Sequence, residues 1–276
     1  MTKVNRRVRS ALFVPGSRPE RFEKALGTGA DRIIIDFEDA VEESLKAHAR
    51  ENLRTFMSSH PAAQVAVRVN AVGHIEHSAD VACCADLAGV VALMLPKAEG
   101  RGQVEQVAAC GKPVWPLIES VAGALSVASI AAAKGVERLT FGALDLGLDI
   151  GAKAGSPAAG KIMDQLRYSL LFESVKHGLD KPLDTVFADI ANLDGLRAMA
   201  SFGRDLGLGG MLCIHPSQVA IANDGYSPTV EEIAWAMRVV EAAKRDPSGA
   251  FRLDGKMVDA PVVKQAYRVI EDQAGA

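Results

Sequence analysis

Acidic side chains follow several short apolar segments, at the points where buried strands would end. "RIIID" leads into Asp36, Glu38 and Asp39, "VWPLIE" ends in Glu119, and "RLTFGALD" ends in Asp145. A hard divalent cation such as Mg2+ takes one or two protein carboxylates and leaves its other positions to water and substrate oxygens. Because Glu119 and Asp145 end consecutive apolar segments, they form the candidate Mg2+ site.

An arginine lies within the apolar segment "VAVRVN". A buried guanidinium must find an anion or a set of carbonyl groups, so Arg68 is expected to have an acidic partner, either in the protein or in a substrate. A substrate carboxylate could be held by a bidentate pair. Cation and arginine together indicate an anionic, oxygen-rich substrate. Taken singly, Asp36 or Asp39 could instead cap a helix predicted to begin near Ala40.

Composition excludes several classes of protein. The 276 residues carry a net charge of -3, and this balance does not favour nucleic acid as a partner. The four cysteines have no metal-ligand spacing, which predicts a reduced, cytoplasmic setting. The first apolar run, "ALFV", is too short for a signal peptide, and no later segment approaches a membrane span.

The elements that position these residues are eight short apolar segments alternating with helical spacing. They are "ALFV" at 11–14, "RIIID" at 32–36, "VAVRVN" at 65–70, "VVALMLP" at 90–96, "VWPLIE" at 114–119, "RLTFGALD" at 138–145, "DTVFADI" at 184–190 and "GMLCIHP" at 210–216. This alternation predicts a parallel sheet covered by helices, and eight strands favour a (β/α)8 barrel. An open doubly wound sheet is the alternative, but no glycine fingerprint follows the first strand.

In such a barrel the C-terminal strand ends form one rim, where catalytic groups gather. The chain then divides into a catalytic barrel at 1–246 and a C-terminal extension at 247–276 that contains a final helix. A barrel does not need this extension. It is expected to be a lid or an oligomer contact.

Eight segments, in order, carry a resemblance to a known family. They are "RSALFVPGSRPERFEKA", "IIIDFEDAV", "VRVN", "LPKAE", "PLIESVAGAL", "FGALDLGLDIG", "GLGGMLCIHPSQV" and "DGKMVDAP". Together they resemble the citrate lyase beta-subunit-like proteins. That group includes the malyl-CoA and citramalyl-CoA lyases, within the wider superfamily of HpcH/HpaI-type aldolases.

The resemblance implies a Mg2+-dependent barrel, commonly a homotrimer, that cleaves or forms a carbon-carbon bond in a 3-hydroxyacyl-CoA thioester. By motif, Glu119 and Asp145 would hold the metal, and Arg68 would bind the carboxylate of the keto acid half. Lys24 lies where these proteins contact CoA phosphates, and Phe13 occupies a nearby pocket position.

The resemblance also implies roles for the remaining acids. Asp259 of "MVDAP" would be the catalytic acid/base residue, delivered in related enzymes from a neighbouring subunit. Glu38 and Asp39 would hold metal-bound water or orient Arg68, while Asp36 anchors the loop. The second strand would thus end in three acids because they support the cation.

This chain also differs from the motifs of the family at several positions. Glu20 stands where several relatives carry a second basic residue towards CoA, and "GGM" at 209–211 replaces Gly-Lys-Met. Arg9 and Arg18 are candidate substitutes for the missing charge, or solvated surface residues.

Three alternatives to a thioester lyase remain open. One is a metal-dependent pyruvate aldolase that does not use CoA; such relatives place a His after the Glu of the second strand, where this chain has Asp39. Another is the subunit of a multichain citrate lyase that acts on a citryl-carrier-protein thioester. A non-catalytic regulatory binder is the third.

Overall fold

The computed structural model describes residues 7–245 and 249–274. The chain forms two compact units, one of Val8–Gly225 and a second that includes Arg7 and begins again at Tyr226. The predicted boundary at residue 246 lies later in the chain. The division comes earlier because the helix at 230–245 shares a hydrophobic core with the C-terminal helix.

The first unit is built on parallel strands. Their bounds are β1 Ser10–Pro15, β2 Arg32–Asp36, β3 Val65–Arg68, β4 Val90–Leu95, β5 Val114–Ile118, β6 Thr140–Phe141, β7 Leu183–Asp184 and β8 Gly210–Cys213. They pair in the order β6-β5-β4-β3-β2-β1-β8-β7. The amide of Leu183 donates to the carbonyl of Leu139 at 3.0 Å, which joins the two ends of that order. The predicted (β/α)8 barrel is confirmed, and the open sheet is excluded.

Helices connect and flank the strands. Their bounds are α1 Phe22–Leu26, α2 Lys46–Ser59, α3 His77–Ala85, α4 Arg101–Ala108, α5 Val121–Leu125, α6 Val127–Ala131, α7 Ala143–Asp149, α8 Pro157–His177, α9 Leu193–Leu206 and α10 Ser217–Gly225. No helix within the described residues is long and apolar enough to cross a membrane.

Strand alternation determines which side chains enter the barrel. Ile34 and Ala66 belong to the buried core of the barrel. Since side chains alternate between the two faces of a strand, Asp36 and Arg68 lie on the same interior face, two residues further on. The two residues are also register partners in the β2–β3 pairing. An acid and a guanidinium therefore meet at the C-terminal end of the barrel.

Two strands are shorter than predicted. β6 ends at Phe141, Gly142 precedes the first turn of α7, and Asp145 therefore lies on a helix and not at a strand end. β7 ends at Asp184, so Asp189 lies beyond the strand and is exposed. The interpretation of both segments as long strands was wrong: after β7 the β-type residues 185–187 continue past the point where pairing stops, and after β6 the chain turns at Gly142 into α7.

The second unit consists of α11 Val230–Arg245, β9 Ala250–Leu253, β10 Lys256–Asp259 and α12 Ala260–Ala274. The "LDGKMVDAP" segment contains the turn and second strand of an antiparallel hairpin. Asp254 and Gly255 form the turn with φ of 51° and 76°. Positive φ at both central residues is typical of the tight hairpin turn that Asp-Gly favours. Val258 and Ala266 pack with α11 in the core of this unit.

Candidate active site

A cavity of about 860 Å³ opens at the C-terminal ends of the barrel strands. Seven of the residues singled out in the sequence line it: Phe13, Lys24, Asp36, Asp39, Arg68, Glu119 and Asp145. Glu38 is buried and does not line this cavity; it lies in the wall of a neighbouring cavity of about 650 Å³, to which Asp39 also contributes. The barrel therefore brings the predicted cation, carboxylate and phosphate contacts into one space.

Arg68 is held by the acids that follow β2. Its Nε donates to Asp36 Oδ1 at 2.7 Å and its Nη2 to Asp36 Oδ2 at 2.6 Å, which makes a bidentate pair. Nη1 lies 2.9 Å from Glu38 Oε2, out of hydrogen-bonding alignment, and 3.5 Å from Asp39 Oδ2. The ring of Phe13 stacks on the guanidinium at 4.9 Å. The acidic partner expected for Arg68 is thus in the protein, and a substrate carboxylate would have to use the donors left over.

The charge of Arg68 is stabilised by these acids. Burial on its own lowers the pKa of Arg68, but the charges of Asp36, Glu38 and Asp39 outweigh it and raise the pKa overall. Burial raises the pKa of the Glu38 carboxyl, and Arg68 and Lys97 oppose that rise. The guanidinium therefore stays protonated and serves as an internal counter-ion.

Asp36 also anchors the loop after β2. Its Oδ1 accepts from the amide of Glu38 at 2.9 Å, and its Oδ2 accepts from the amide of Ala40 at 3.1 Å. These bonds stabilise a turn and not a helix, because helical structure begins only with the short 3-10 turn Glu43–Leu45 that precedes α2. The expected helix start near Ala40 was therefore wrong.

A buried lysine holds the same loop from behind. Lys46 is 3% exposed, and its Nζ donates to the carbonyls of Phe37 and Glu38 at 3.0 Å each and to Asn70 Oδ1 at 2.8 Å. Asn70 in turn donates to Asp80 Oδ2 at 2.6 Å. A buried charge is tolerated only where it is paired and hydrogen-bonded, and this network meets that need while it fixes the backbone beside Glu38.

Glu119 is the most perturbed carboxylate of the site. It is 3% exposed, and burial, followed by the nearby charge of Glu38, raises its pKa to about 7. The amide of Lys97 donates to its Oε1 at 2.8 Å. A Cβ on Gly142 would lie 2.7 Å from its Oε2, so that oxygen needs glycine opposite it. Within the described chain Oε2 accepts no hydrogen bond, which leaves it able to bind a ligand.

Asp145 lies on the first turn of α7 and is exposed to the cavity. The start of this helix is held by Thr185, whose hydroxyl accepts from the amide of Ala143 at 3.0 Å. Thr185 is buried, follows β7 and also lines the cavity. Sequence reasoning missed it, because a threonine within "DTVFADI" has no feature that distinguishes it from an ordinary strand residue.

The donor set fits a divalent cation. Glu119 and Asp145 are oxygen donors in the same cavity, and neither forms an ion pair among the described residues. No group of three or more His, Cys, Asp or Glu suited to a metal occurs in residues 7–245 and 249–274. The protein would therefore supply two carboxylates and leave several positions open, as Mg2+ sites commonly do.

Basic residues form another wall of the cavity. Arg21, at the end of a 3-10 turn, and Lys24 on α1 both line it, and both are exposed. Sequence reasoning missed Arg21, although it lies three residues before Lys24 on the same short helical stretch. The expectation that Arg9 supplies the basic charge missing at Glu20 was wrong. Arg9 precedes β1, at the other end of the strands, and pairs with Asp31 at 2.8 Å. Arg18 is exposed and does not line the cavity.

Asp259 belongs to the second unit. It ends β10, is exposed, and its Oδ1 accepts from the amide of Val262 in the first turn of α12 at 3.4 Å. Its predicted acid/base role remains a prediction.

The fold and the cavity define a (β/α)8 barrel protein with a carboxylate-rich pocket at the C-terminal strand ends. Residues 9–216 match the family model for HpcH/HpaI aldolase/citrate lyase. The chain belongs to this family, as the motifs predicted.

Relatives and solved structures agree with this assignment. The chain is 38% identical over 262 residues to a citrate lyase subunit beta-like protein of Mycobacterium tuberculosis, covering 94% of this chain and 93% of the relative. It is 35% identical over 259 residues to a (3S)-malyl-CoA thioesterase of Cereibacter sphaeroides, covering 91% and 89%. The structure of CitE from Mycobacterium tuberculosis in complex with magnesium, acetoacetate and coenzyme A superposes with a TM-score of 0.86 at 34% identity, covering 98% of this chain and 100% of CitE.

Proposed function

We propose that this protein is a Mg2+-dependent carbon-carbon lyase. Its substrate would be a 3-hydroxyacyl-CoA thioester of the malyl-CoA or citramalyl-CoA type. The products would be a 2-keto acid and acetyl-CoA or a related acyl-CoA.

The observation that carries the proposal is that one wall of the cavity is basic and the opposite wall is acidic. Arg21 and Lys24 follow β1, whereas Glu119 and Asp145 follow β5 and β6, about half-way round the ring of strands. A volume of about 860 Å³ is within the usual range for a small-molecule site. Such a pocket suits a ligand with phosphates at one end and a chelating, oxygen-rich acid at the other. The magnesium, acetoacetate and coenzyme A in the CitE structure support the same interpretation.

Each residue of the site would have a definite task. Glu119 and Asp145 would hold Mg2+, which when bound supplies a Lewis acid and a template for neighbouring substrate oxygens. Arg68 would contribute its remaining donors to a substrate carboxylate, with its plane fixed by Asp36 and Phe13. Lys24, with Arg21 beside it, would bind the phosphates of CoA.

Cleavage breaks the bond between the hydroxyl-bearing carbon and the carbon next to the thioester. The hydroxyl proton must leave and the acyl carbon must gain a proton, which requires a positioned acid/base group. We assign that proton transfer to Asp259. The assignment goes together with a proposed homotrimer, in which a neighbouring subunit would deliver Asp259, as the family resemblance implies.

The malyl-CoA thioesterase among the relatives favours a second candidate activity. Hydrolysis of the thioester would release malate and free CoA, whereas carbon-carbon cleavage would release a keto acid and an acyl-CoA. The same cavity could serve either reaction, since both need an anionic acid group and a CoA thioester held together.

The test is a product assay with purified protein and a panel of malyl-, methylmalyl-, citramalyl- and citryl-CoA thioesters, together with a citryl-carrier-protein thioester, with and without Mg2+. The proposal predicts a keto acid and an acyl-CoA, formed only with Mg2+. Glu119→Gln and Asp145→Asn should each abolish this cleavage and keep the fold, because they remove charge and no core packing. Asp194→Asn, on the exposed surface of α9, is the matched control. Free CoA as the product would indicate the thioesterase; turnover of only a carrier-protein thioester would indicate a citrate lyase subunit.

A further inference from the structure

Lys97 has an unusual backbone conformation next to the cation site. It follows β4 with φ of 50°, and within the described chain the only other residue besides glycine with positive φ is Asp254, in the hairpin turn. The left-handed region is unfavourable for a residue with a Cβ and persists where the surroundings demand it. Lys97 serves no tight turn between paired strands, so its conformation calls for another explanation.

That conformation directs the amide and the amine of Lys97 to two different carboxylates. The amide donates to Glu119 Oε1 at 2.8 Å. The amine forms an ion pair with Glu38 Oε1 and lies 3.8 Å from Asp39 Oδ1. One residue therefore orients a proposed cation ligand and, at the same time, neutralises an acid beside it.

Glu38 is engaged by positive charge at both of its oxygens. Oε1 pairs with Lys97, and Oε2 lies 2.9 Å from Arg68 Nη1. Asp36 is likewise taken up by its bidentate pair with Arg68. By contrast, Glu119 has one oxygen without a hydrogen bond, and Asp145 has no hydrogen bond or ion pair within the described chain. Two basic residues thus determine which acids remain able to bind a cation.

We propose that Lys97 is a positioning residue that holds Glu38 away from the cation, so that the ion takes only Glu119 and Asp145. The inference rests on the proposed function for the place of the cation. Its physical basis is that each added carboxylate ligand tightens divalent cation binding but fills a coordination position. A lyase needs open positions where the substrate can chelate the ion. Lys97 would therefore lower the affinity of the site for the cation and keep coordination positions open to the substrate.

The variant that tests this role is Lys97→Met, which keeps the backbone amide and an unbranched side chain only one atom shorter, and removes the charge. Binding of Mn2+ as the probe would be measured by calorimetry, and the waters on bound Mn2+ by water-proton relaxation. Lys97→Met should bind Mn2+ about tenfold more tightly, with fewer exchanging waters, because Glu38 becomes a ligand. Oxalate, a chelating mimic of a keto acid, should bind the Mn2+-loaded variant at least tenfold more weakly.

The double variant Lys97→Met/Glu38→Gln is the matched control. It removes both members of the pair and should return Mn2+ and oxalate affinity to within about threefold of the wild type. Unchanged or weaker Mn2+ binding in Lys97→Met would overturn the inference.

A crystal structure of the wild type with Mn2+ decides the question even if the single variant does not fold. Glu38 paired with Lys97 and outside the coordination sphere supports the inference, and Glu38 bound to Mn2+ overturns it. If the proposed function itself is wrong, a different result is expected. The wild type would then bind no Mn2+, or Glu119→Gln would bind it as well as the wild type.

Discussion

At the scale of single residues, the site depends on how its acids are divided between internal cations and a ligand. Asp36 pairs with Arg68 and Glu38 with both Arg68 and Lys97, whereas Glu119 is buried with one oxygen unused. This arrangement makes ionisation of Glu119 unfavourable, because burial and the charge of Glu38 raise its pKa to about 7. A divalent cation would relieve this cost by neutralising the carboxylate.

The raised pKa predicts a pH-dependent effect of Glu119→Gln on the cation-free protein. Between pH 4.5, the ordinary pKa, and about 7, the folded chain keeps a proton on Glu119 that the unfolded chain has lost. Stability contributed by Glu119 therefore falls as pH rises through this window. Glutamine has no such penalty, so the variant should gain about 1 to 3 kcal/mol relative to wild type between pH 5 and pH 8.

Urea unfolding in the presence of a chelator, at both pH values, measures this difference. Asp194→Asn, at the exposed surface, controls for the loss of one negative charge. A stability difference between wild type and Glu119→Gln that is the same at both pH values would show that the carboxyl of Glu119 titrates normally.

At the scale of elements, the junction of β6 and α7 positions the two carboxylates of the proposed cation site. Gly142 lies between them, and its amide donates to the carbonyl of Ile118 at 2.9 Å. This bond ties the start of α7 to the end of β5, beside Glu119. The junction therefore sets Asp145 and Glu119 in the same cavity, with only a glycine hydrogen opposite the Glu119 carboxylate.

Gly142→Ala should weaken Mn2+ binding and lower turnover by roughly 10- to 100-fold, as is usual for residues that orient a metal ligand. The new Cβ would lie 2.7 Å from Glu119 Oε2 and 3.0 Å from its Cβ, so the carboxylate must move. Gly147→Ala is the matched control on the same helix, since a Cβ there meets nothing within 4 Å. Calorimetry with Mn2+ compares the two; equal binding by both variants would contradict this role of Gly142.

How much of these elements the sequence predicts depends on the range of the interactions involved. β2 was predicted to the residue, because three β-branched residues and a terminal acid are a local signal. Strand pairing is not local, so the short β6 and β7 could not be foreseen and Asp145 was placed on a strand. The left-handed Lys97 and the pairing of Arg9 with Asp31 also depend on contacts between distant segments.

At the scale of the whole molecule, the chain divides the proposed chemistry between two units. The barrel would carry the proposed cation, carboxylate and CoA contacts, and the second unit carries Asp259 at the end of β10. The motifs indicated this division, because they placed Asp259 in a C-terminal extension. Its exposure leaves it accessible, as the proposed acid/base role requires.

Asp259→Asn should therefore leave Mn2+ and oxalate binding unchanged and lower turnover by about 10²- to 10⁴-fold, the usual contribution of a general acid/base. Single-turnover kinetics would separate the chemical step from binding. Asp254→Asn, in the turn of the same hairpin, is the control. Normal turnover by Asp259→Asn would remove this residue from the mechanism, and a loss of assembly in sedimentation would assign it a structural role instead.

The most direct measurement is anomalous diffraction from crystals of the wild type soaked with Mn2+. We expect a single strong Mn2+ peak in the barrel cavity, with carboxylate oxygens of Glu119 and Asp145 both within coordination distance and positions left open. A peak elsewhere, or one bound by only one of these two residues, would contradict the cation site on which the proposed lyase chemistry depends.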